Sequence, residues 1–254
     1  MSQSLIEGNR LSKVYATATG PLVALDNVSF GIEEGEFISL VGPSGCGKST
    51  LLSILGGLEE KSDGTLVLAG KHHDAPRPDL GMMFQTSVLF SWRTIRENVK
   101  LPGIILGLDR KQQAERCDEL LDMVGLNGFG DRYPDELSGG MRQRVALARL
   151  LAHDPRVLLM DEPFGALDEF TRETMNNELL RIWEKTGKTV VFVTHNVGEA
   201  VFLSDRIFVM TPRPGRLEGI IDVDLPRPRK AEIMRDPRFS ELVFDIRRML
   251  GVDH

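Results

Sequence analysis

Nine consecutive residues constrain this chain more than any other stretch: Gly42-Pro43-Ser44-Gly45-Cys46-Gly47-Lys48-Ser49-Thr50. They follow an apolar run, Phe37 to Val41, and lead into a helical pattern, Leu51 to Leu55. Strand, G-x-x-x-x-G-K-[ST] loop and helix in that order make a phosphate-binding turn. The glycines let backbone N–H groups turn inward around phosphate oxygens with no Cβ in the way. The positive end of the following helix adds to the attraction. In such a loop Lys48 reaches the β- and γ-phosphates of a nucleotide, and the Ser49 hydroxyl ligates Mg²⁺. A chance glycine-rich turn would not bring both flanking elements in register.

A phosphate loop alone means only a nucleotide. Val157-Leu158-Leu159-Met160-Asp161-Glu162-Pro163 adds to it, because the apolar run places Asp161 at the carboxyl end of a strand. That edge is where open α/β sheets hold ligands. A carboxylate there can hold Mg²⁺ beside Ser49, as a hard oxygen ligand does, and Glu162 can orient or activate an attacking water.

The third piece is Leu137-Ser138-Gly139-Gly140-Met141-Arg142-Gln143-Arg144, at the start of a helical pattern. Ser138 can cap that helix, and Gly139-Gly140 frees backbone N–H groups for an anion. Together, and in this order along nearly the whole chain, the three motifs resemble those of the ATP-binding-cassette (ABC) ATPases.

The resemblance implies further roles. Tyr15 matches the aromatic residue that stacks on adenine, and Gln85 the glutamine that joins metal and water to a helical insert. Asp168 matches the aspartate that crosses to a partner subunit. His195, after the run Val190 to Thr194, matches the histidine that contacts the γ-phosphate and Glu162. The family pairs two cassettes about a two-fold axis, so Ser138, Gly139 and Gly140 of one copy complete the site built by Gly42 to Thr50 of the other. The implied cofactors are ATP and Mg²⁺. The implied fold is α/β: a P-loop NTPase (RecA-like) core, an N-terminal antiparallel β subdomain and a helical insert at about 92–152. Residues 1–254 then form one ATPase domain with a short tail at about 229–254.

The stretch Thr86 to Val99, with Asp161 to Asp168, looks like the nitrate, sulfonate and taurine branch of bacterial importer cassettes. That implies multi-spanning permease subunits, an extracytoplasmic substrate-binding protein, and a place on the cytoplasmic face of the inner membrane. Phe90, Trp92 and Ile95 form a candidate groove for a permease helix, against plain packing of the insert. A lipid- or drug-moving cassette, a non-transport cassette that remodels a nucleic-acid or ribosomal complex, and a soluble nucleotide kinase are the alternatives.

Composition narrows these. The formal net charge is -6 over 254 residues, and a nucleic-acid binder is expected to carry a basic footprint. No run approaches the ~18 apolar residues that span a bilayer, so if the protein works at a membrane another chain must do the crossing. Met1 to Val14 has no apolar core of the kind a signal peptide carries. Of the two cysteines, Cys46 and Cys117, one lies in the phosphate loop, which argues for free thiols in a reducing compartment. Cys46 sits near a helix N-terminus, which can favour a thiolate; the expectation is that a thiol reagent blocks turnover and ATP protects. His72, His73 and His153 read as loop or helix-end residues.

The periodicities predict two early alternating strands, Leu5 to Tyr15 and Leu22 to Ile32, in an antiparallel sheet. Ser62-Asp63-Gly64 reads as a turn before a strand from Thr65 to Ala69. Helical patterns run over Thr94 to Leu106, interrupted at Pro102 and Gly103, then over Arg110 to Val124, Gly140 to Ala152, Thr171 to Lys185 and Val197 to Leu203. Buried strands are predicted at Leu80 to Phe84, Val157 to Asp161 and Thr189 to Thr194, and later strands at Arg206 to Met210 and Leu217 to Val223. Strands alternating with helices make an α/β fold with a parallel core.

Overall fold

The computed structural model describes residues 4–251. In chain order its elements are β1 (Ile6–Thr17), β2 (Gly20–Ile32), β3 (Phe37–Val41), α1 (Lys48–Leu55), β4 (Asp63–Leu68), β5 (Lys71–His72) and β6 (Leu80–Met83). Next come α2 (Ile95–Ile105), α3 (Arg110–Met123), α4 (Gly139–Leu151), β7 (Val157–Asp161) and α5 (Glu169–Thr186). The chain closes with β8 (Thr189–Val193), α6 (Val197–Leu203), β9 (Arg206–Met210), β10 (Leu217–Asp222) and α7 (Pro237–Met249). They fall into two compact units: the chain up to Arg77 together with the chain from Gly187, and Pro78–Thr186 between them.

The first unit holds an antiparallel sheet in the order β2-β1-β4-β5. β1 and β2 form a hairpin from Ile6↔Ile32 to Thr17↔Gly20, and one face buries Leu11, Leu25, Val28, Leu66 and Leu68. Asp63 and Gly64 belong to β4 rather than to a preceding turn. Pairing decides this: Asp63 sits opposite Ser12 of β1, and a ladder overrides the local turn preference of Asp-Gly.

The same unit holds β3 between two parallel neighbours, β8 and β9, with β10 antiparallel to β9. All five residues of β3 are buried, as a parallel strand covered on both faces requires. Beyond β10, the buried Arg229 anchors the tail. Its guanidinium donates to the carbonyls of Val201, Phe202 and Ser204 at 2.6–3.2 Å, and to those of Val223 and Leu225 at 3.3 Å. Burial pulls its pKa down to about 10, so it stays charged at neutral pH and satisfies carbonyls at the end of α6.

The second unit pairs β6 and β7 in parallel, Leu80↔Val157 through Met83↔Met160, and carries α2 to α5. Thr94 starts α2 with a capping box closed by Glu97. The helix runs through Pro102, where an interruption was expected, and ends at Ile105. Proline has no N–H to give, so it costs the helix one bond, and just past the helix end the Leu106 amide donates to the Pro102 carbonyl at 3.0 Å. Asn98, fully buried in α2, stitches the preceding turn. Its amide nitrogen donates to Phe90, Arg93 and Thr94 carbonyls at 3.0–3.1 Å, and its oxygen accepts from the Phe90 amide at 2.8 Å. Among the described residues no helix is long and apolar enough to cross a membrane.

Candidate functional site: a nucleotide-binding cassette

In the first unit the phosphate loop leaves β3 at Gly42 and enters α1 at Lys48. Gly47 caps α1 at φ 102°, a left-handed conformation that a side chain rarely adopts. A Cβ there would also lie 2.9 Å from the Ala24 carbonyl. Lys48 is buried, and its Nζ donates to the Gly42 carbonyl at 2.8 Å and the Pro43 carbonyl at 3.0 Å. The charge is therefore held within the loop, while Pro43, Ser44, Gly45 and Ser49 are exposed.

Two residues that sequence reasoning read only as part of a turn support this loop. Arg213 donates through Nε and Nη2 to the Gly45 carbonyl at 3.3 and 3.2 Å. Gly215 lies under Cys46 so closely that a Cβ would fall 1.9 Å from the Cys46 carbonyl oxygen. Gly215 is also hydrogen-bonded to β2, its amide to Ala24 and its carbonyl to Asp26, both at 3.0 Å. The one available signal was the Gly in Pro212-Arg213-Pro214-Gly215, since a glycine can mark close backbone approach.

Cys46 corrects an expectation. Its Sγ is fully buried and lies 3.7 Å from Lys48 Nζ, so a thiol reagent in solution has no path to it while the loop keeps this form. His73 also differs from its reading as a loop residue: it is 3% exposed, and its Nε2 bonds the Leu55 carbonyl at the end of α1 at 2.8 Å.

Tyr15 is half-buried near the end of β1. Lys13 Nζ stands 4.8 Å from its ring centroid and is itself fixed by the Glu60 carbonyl at 2.6 Å and the Glu59 carboxylate at 2.5 Å. A cation over the ring is a favourable contact of modest strength. His195 follows β8 and is exposed. Its neighbours are rigid: Thr194 Oγ1 accepts from the Asn196 amide at 3.0 Å, its hydroxyl donates to the buried Glu199 carboxylate, and Asn196 caps α6 by accepting from the Glu199 amide at 3.1 Å.

In the second unit β7 ends at Asp161, and Glu162 follows it, both half-buried. Glu162 has φ 42°, and its carbonyl accepts from the Gly165 amide at 3.0 Å, so the chain turns sharply as soon as the strand stops. The turn ends at Asp168, whose carboxylate accepts from the Thr171 amide at 3.0 Å. Hydrogen bonds from Thr171 hold that carboxyl below the usual carboxylate range. Ser138 caps α4 by accepting from the Met141 amide at 3.3 Å. Gly139 faces open space, whereas a Cβ on Gly140 would meet Thr171 Cγ2 at 2.8 Å. Gln85 is exposed just beyond β6, and its carbonyl accepts from Gln143 Nε2 of α4 at 3.0 Å. Of the three apolar residues of the candidate groove, Ile95 is fully buried and belongs to the core. Trp92 is 71% exposed, its ring 5.0 Å from that of Phe90.

A family model described as ABC transporter matches residues 25–165. The chain belongs to the ABC transporter family. An uncharacterised ABC transporter ATP-binding protein of Methanocaldococcus jannaschii is 49% identical over 219 residues, which covers 86% of this chain and 82% of that one. The aliphatic sulfonates import ATP-binding protein SsuB of Bacillus cereus is 45% identical over 221 residues, 87% of each chain. Among solved structures, an ATP-binding cassette dimer in a post-hydrolysis state with ADP and Pi superposes with a TM-score of 0.77. It shares 34% identity and covers 87% of this chain and all of that one.

This cassette is thus an ATPase that uses ATP and Mg²⁺. Oxygen donors suit that metal. The Ser49 hydroxyl, the Asp161 carboxylate and the Gln85 side-chain oxygen are all hard oxygens. No group of three His, Cys, Asp or Glu among the described residues is placed to hold a metal by itself, and Mg²⁺ commonly relies on substrate phosphates and water for its remaining ligands.

Proposed function

We propose that this cassette is the ATP-hydrolysing subunit of an importer for a small sulfonate or related oxyanion, working as a single domain on permease chains that cross the membrane. The observation that carries the reading is the 45% identity, over 87% of both chains, to a protein named for aliphatic sulfonates import. A solved relative is a cassette dimer, which supports a two-fold pair of this chain as the working form. The exposed Trp92 beside Phe90 offers an apolar ledge to a permease helix, and a substrate-binding protein outside the membrane would deliver the cargo. The cassette would then lie on the cytoplasmic face of the inner membrane.

The reaction is the transfer of the γ-phosphoryl of ATP to water, giving ADP and phosphate. Backbone N–H groups of Gly42 to Thr50 and the Lys48 ammonium hold the β- and γ-phosphates, and Tyr15 takes the adenine. Ser49, Asp161 and Gln85 would hold Mg²⁺, which would supply positive charge against the phosphate oxygens. Glu162 accepts the proton of the attacking water, and His195 donates to the γ-phosphate. Ser138, Gly139 and Gly140 of a second copy close over that phosphate, with Asp168 reaching across.

Glu162→Gln tests this. It keeps the hydrogen-bonding shape but removes the base, so turnover falls at least ~100-fold while ATP binding persists and a dimer accumulates with ATP and Mg²⁺. A variant that hydrolyses normally, or stays monomeric, sinks the assignment. Purified from its own host under those conditions, the variant brings down a multi-spanning membrane chain. A host lacking the gene then fails to take up a labelled alkanesulfonate. Ribosomes or nucleic acid in place of the membrane chain would overturn the importer reading.

A further inference from the structure

Among the described non-glycine residues with positive φ, which are Arg10, Asn27, Ala69, Val88, Asp154 and Glu162, only Val88 is β-branched. It lies three residues after Gln85, at φ 44°, with its side chain 52% exposed. A β-branched residue in that region is a genuine outlier and persists only when its surroundings over-determine it. Arg149 meets the backbone at this point. From α4, its Nη1 donates to the Val88 carbonyl and its Nη2 to the Ser87 carbonyl, both at 2.7 Å.

The planar guanidinium fork fits two successive carbonyls as an ammonium cannot. No carboxylate among the described residues forms an ion pair with Arg149, and burial pulls its pKa down, so its charge is committed to these two bonds. Six residues earlier on the same helix, Gln143 is 5% exposed and donates to the Gln85 carbonyl. Three backbone carbonyls of the four-residue segment from Gln85 to Val88 are thereby tied to α4, the helix that begins at Gly139.

We propose that Arg149, seconded by Gln143, is a positioning residue for ATP hydrolysis: its fork holds the strained Val88 backbone and so sets where Gln85 is presented. The inference rests on the reading that Gln85 serves the nucleotide. Without the fork, Val88 relaxes to negative φ, and the backbone three residues from Gln85 turns with it. The phosphate loop is untouched, so turnover suffers and ATP affinity does not.

The test uses Arg149→Met, Val88→Asn, the double variant and Gln85→Ala in the full chain. The readouts are kcat, KM for ATP, the thermal midpoint, and hydrogen exchange at the amides of residues 86–89. Arg149→Met lowers kcat about tenfold, the scale of charged hydrogen bonds lost, with KM within about twofold and faster exchange at 86–89. Asparagine tolerates a left-handed backbone, so Val88→Asn alone stays near wild type and, added to Arg149→Met, restores kcat to within about threefold. A merely structural arginine would not be rescued in this way.

Wild-type kcat or unchanged exchange in Arg149→Met, or a folded double variant no faster than the single one, overturns the latch. Should Arg149→Met fail to fold, Arg149→Lys replaces it, with a smaller fall in kcat and the same rescue. Gln85→Ala separates the two readings: if it leaves turnover intact while Arg149→Met still speeds exchange, the role of Gln85 is wrong and the latch stands.

Discussion

The phosphate loop and the segment after β6 are built alike: each is a short turn that leaves a strand of a parallel pair and carries exposed residues. They are held in opposite ways. The loop is held by its own backbone and by glycines pressed against it, Gly47 within and Gly215 beneath. The Gln85 to Val88 segment is held by side chains 58 and 61 or 62 residues further along. The difference teaches which kind of site a sequence displays. A backbone-coded turn is written in contiguous residues, whereas a side-chain clamp depends on a helix that packs only when the chain has folded.

The largest effect should come from the backbone side of this comparison. Gly215→Ala puts a Cβ 1.9 Å from the Cys46 carbonyl oxygen, with backbone rather than a flexible tip as the obstacle. The loop must shift, at about 3 kcal/mol of stability, with weaker binding of a fluorescent ATP analogue. An alanine variant with wild-type melting and affinity would mean that the loop is not held from beneath. Arg213→Ala removes only two long, exposed hydrogen bonds to Gly45 and should cost under about 1 kcal/mol.

The first unit also has a side-chain clamp, and it sharpens the contrast. Arg229→Met leaves as many as five carbonyls near α6 and β10 unsatisfied and should cost about 2–3 kcal/mol, even with methionine filling the stem volume. Affinity for ATP should stay unchanged, because those carbonyls lie away from the phosphate loop in sequence and bond to the tail. Chemical denaturation and nucleotide titration on the same samples separate the two readouts. Loss of both together would show that the tail and the loop share one cooperative structure.

These contrasts explain what could be read before folding. The phosphate loop, the acidic end of β7 and the capped start of α4 are contiguous, and the structure forms each element where its residues predict it. Asp63-Gly64 reads as a turn because its local preference is strong, and only pairing with β1 reverses it. Pro102 reads as an interruption, yet one lost hydrogen bond does not break a helix whose buried face includes Ile95, Asn98 and Val99. Gln143 and Arg149 were not singled out, since an Arg or Gln on a surface helix pattern looks solvated until the carbonyls it meets are known, and Arg213 was read only as part of a turn. Burial of Cys46 and His73 was hidden for the same reason.

The smallest effect tests how rigid the backbone-coded turn is. Cys46 and Cys117 are both buried, and burial also raises the Cys117 thiol above its ordinary pKa. A disulfide reagent should therefore label the native chain slowly at both positions, at a rate set by opening of the fold, and become fast only in denaturant. Cys46→Ala should keep kcat within about twofold, because the thiol packs against Gly42 and Lys48 as a small buried side chain. A rapid reaction of one thiol that ATP suppresses would show the loop opening on its own. The phosphate loop would then be the mobile partner of the comparison, and the clamped segment after β6 the fixed one.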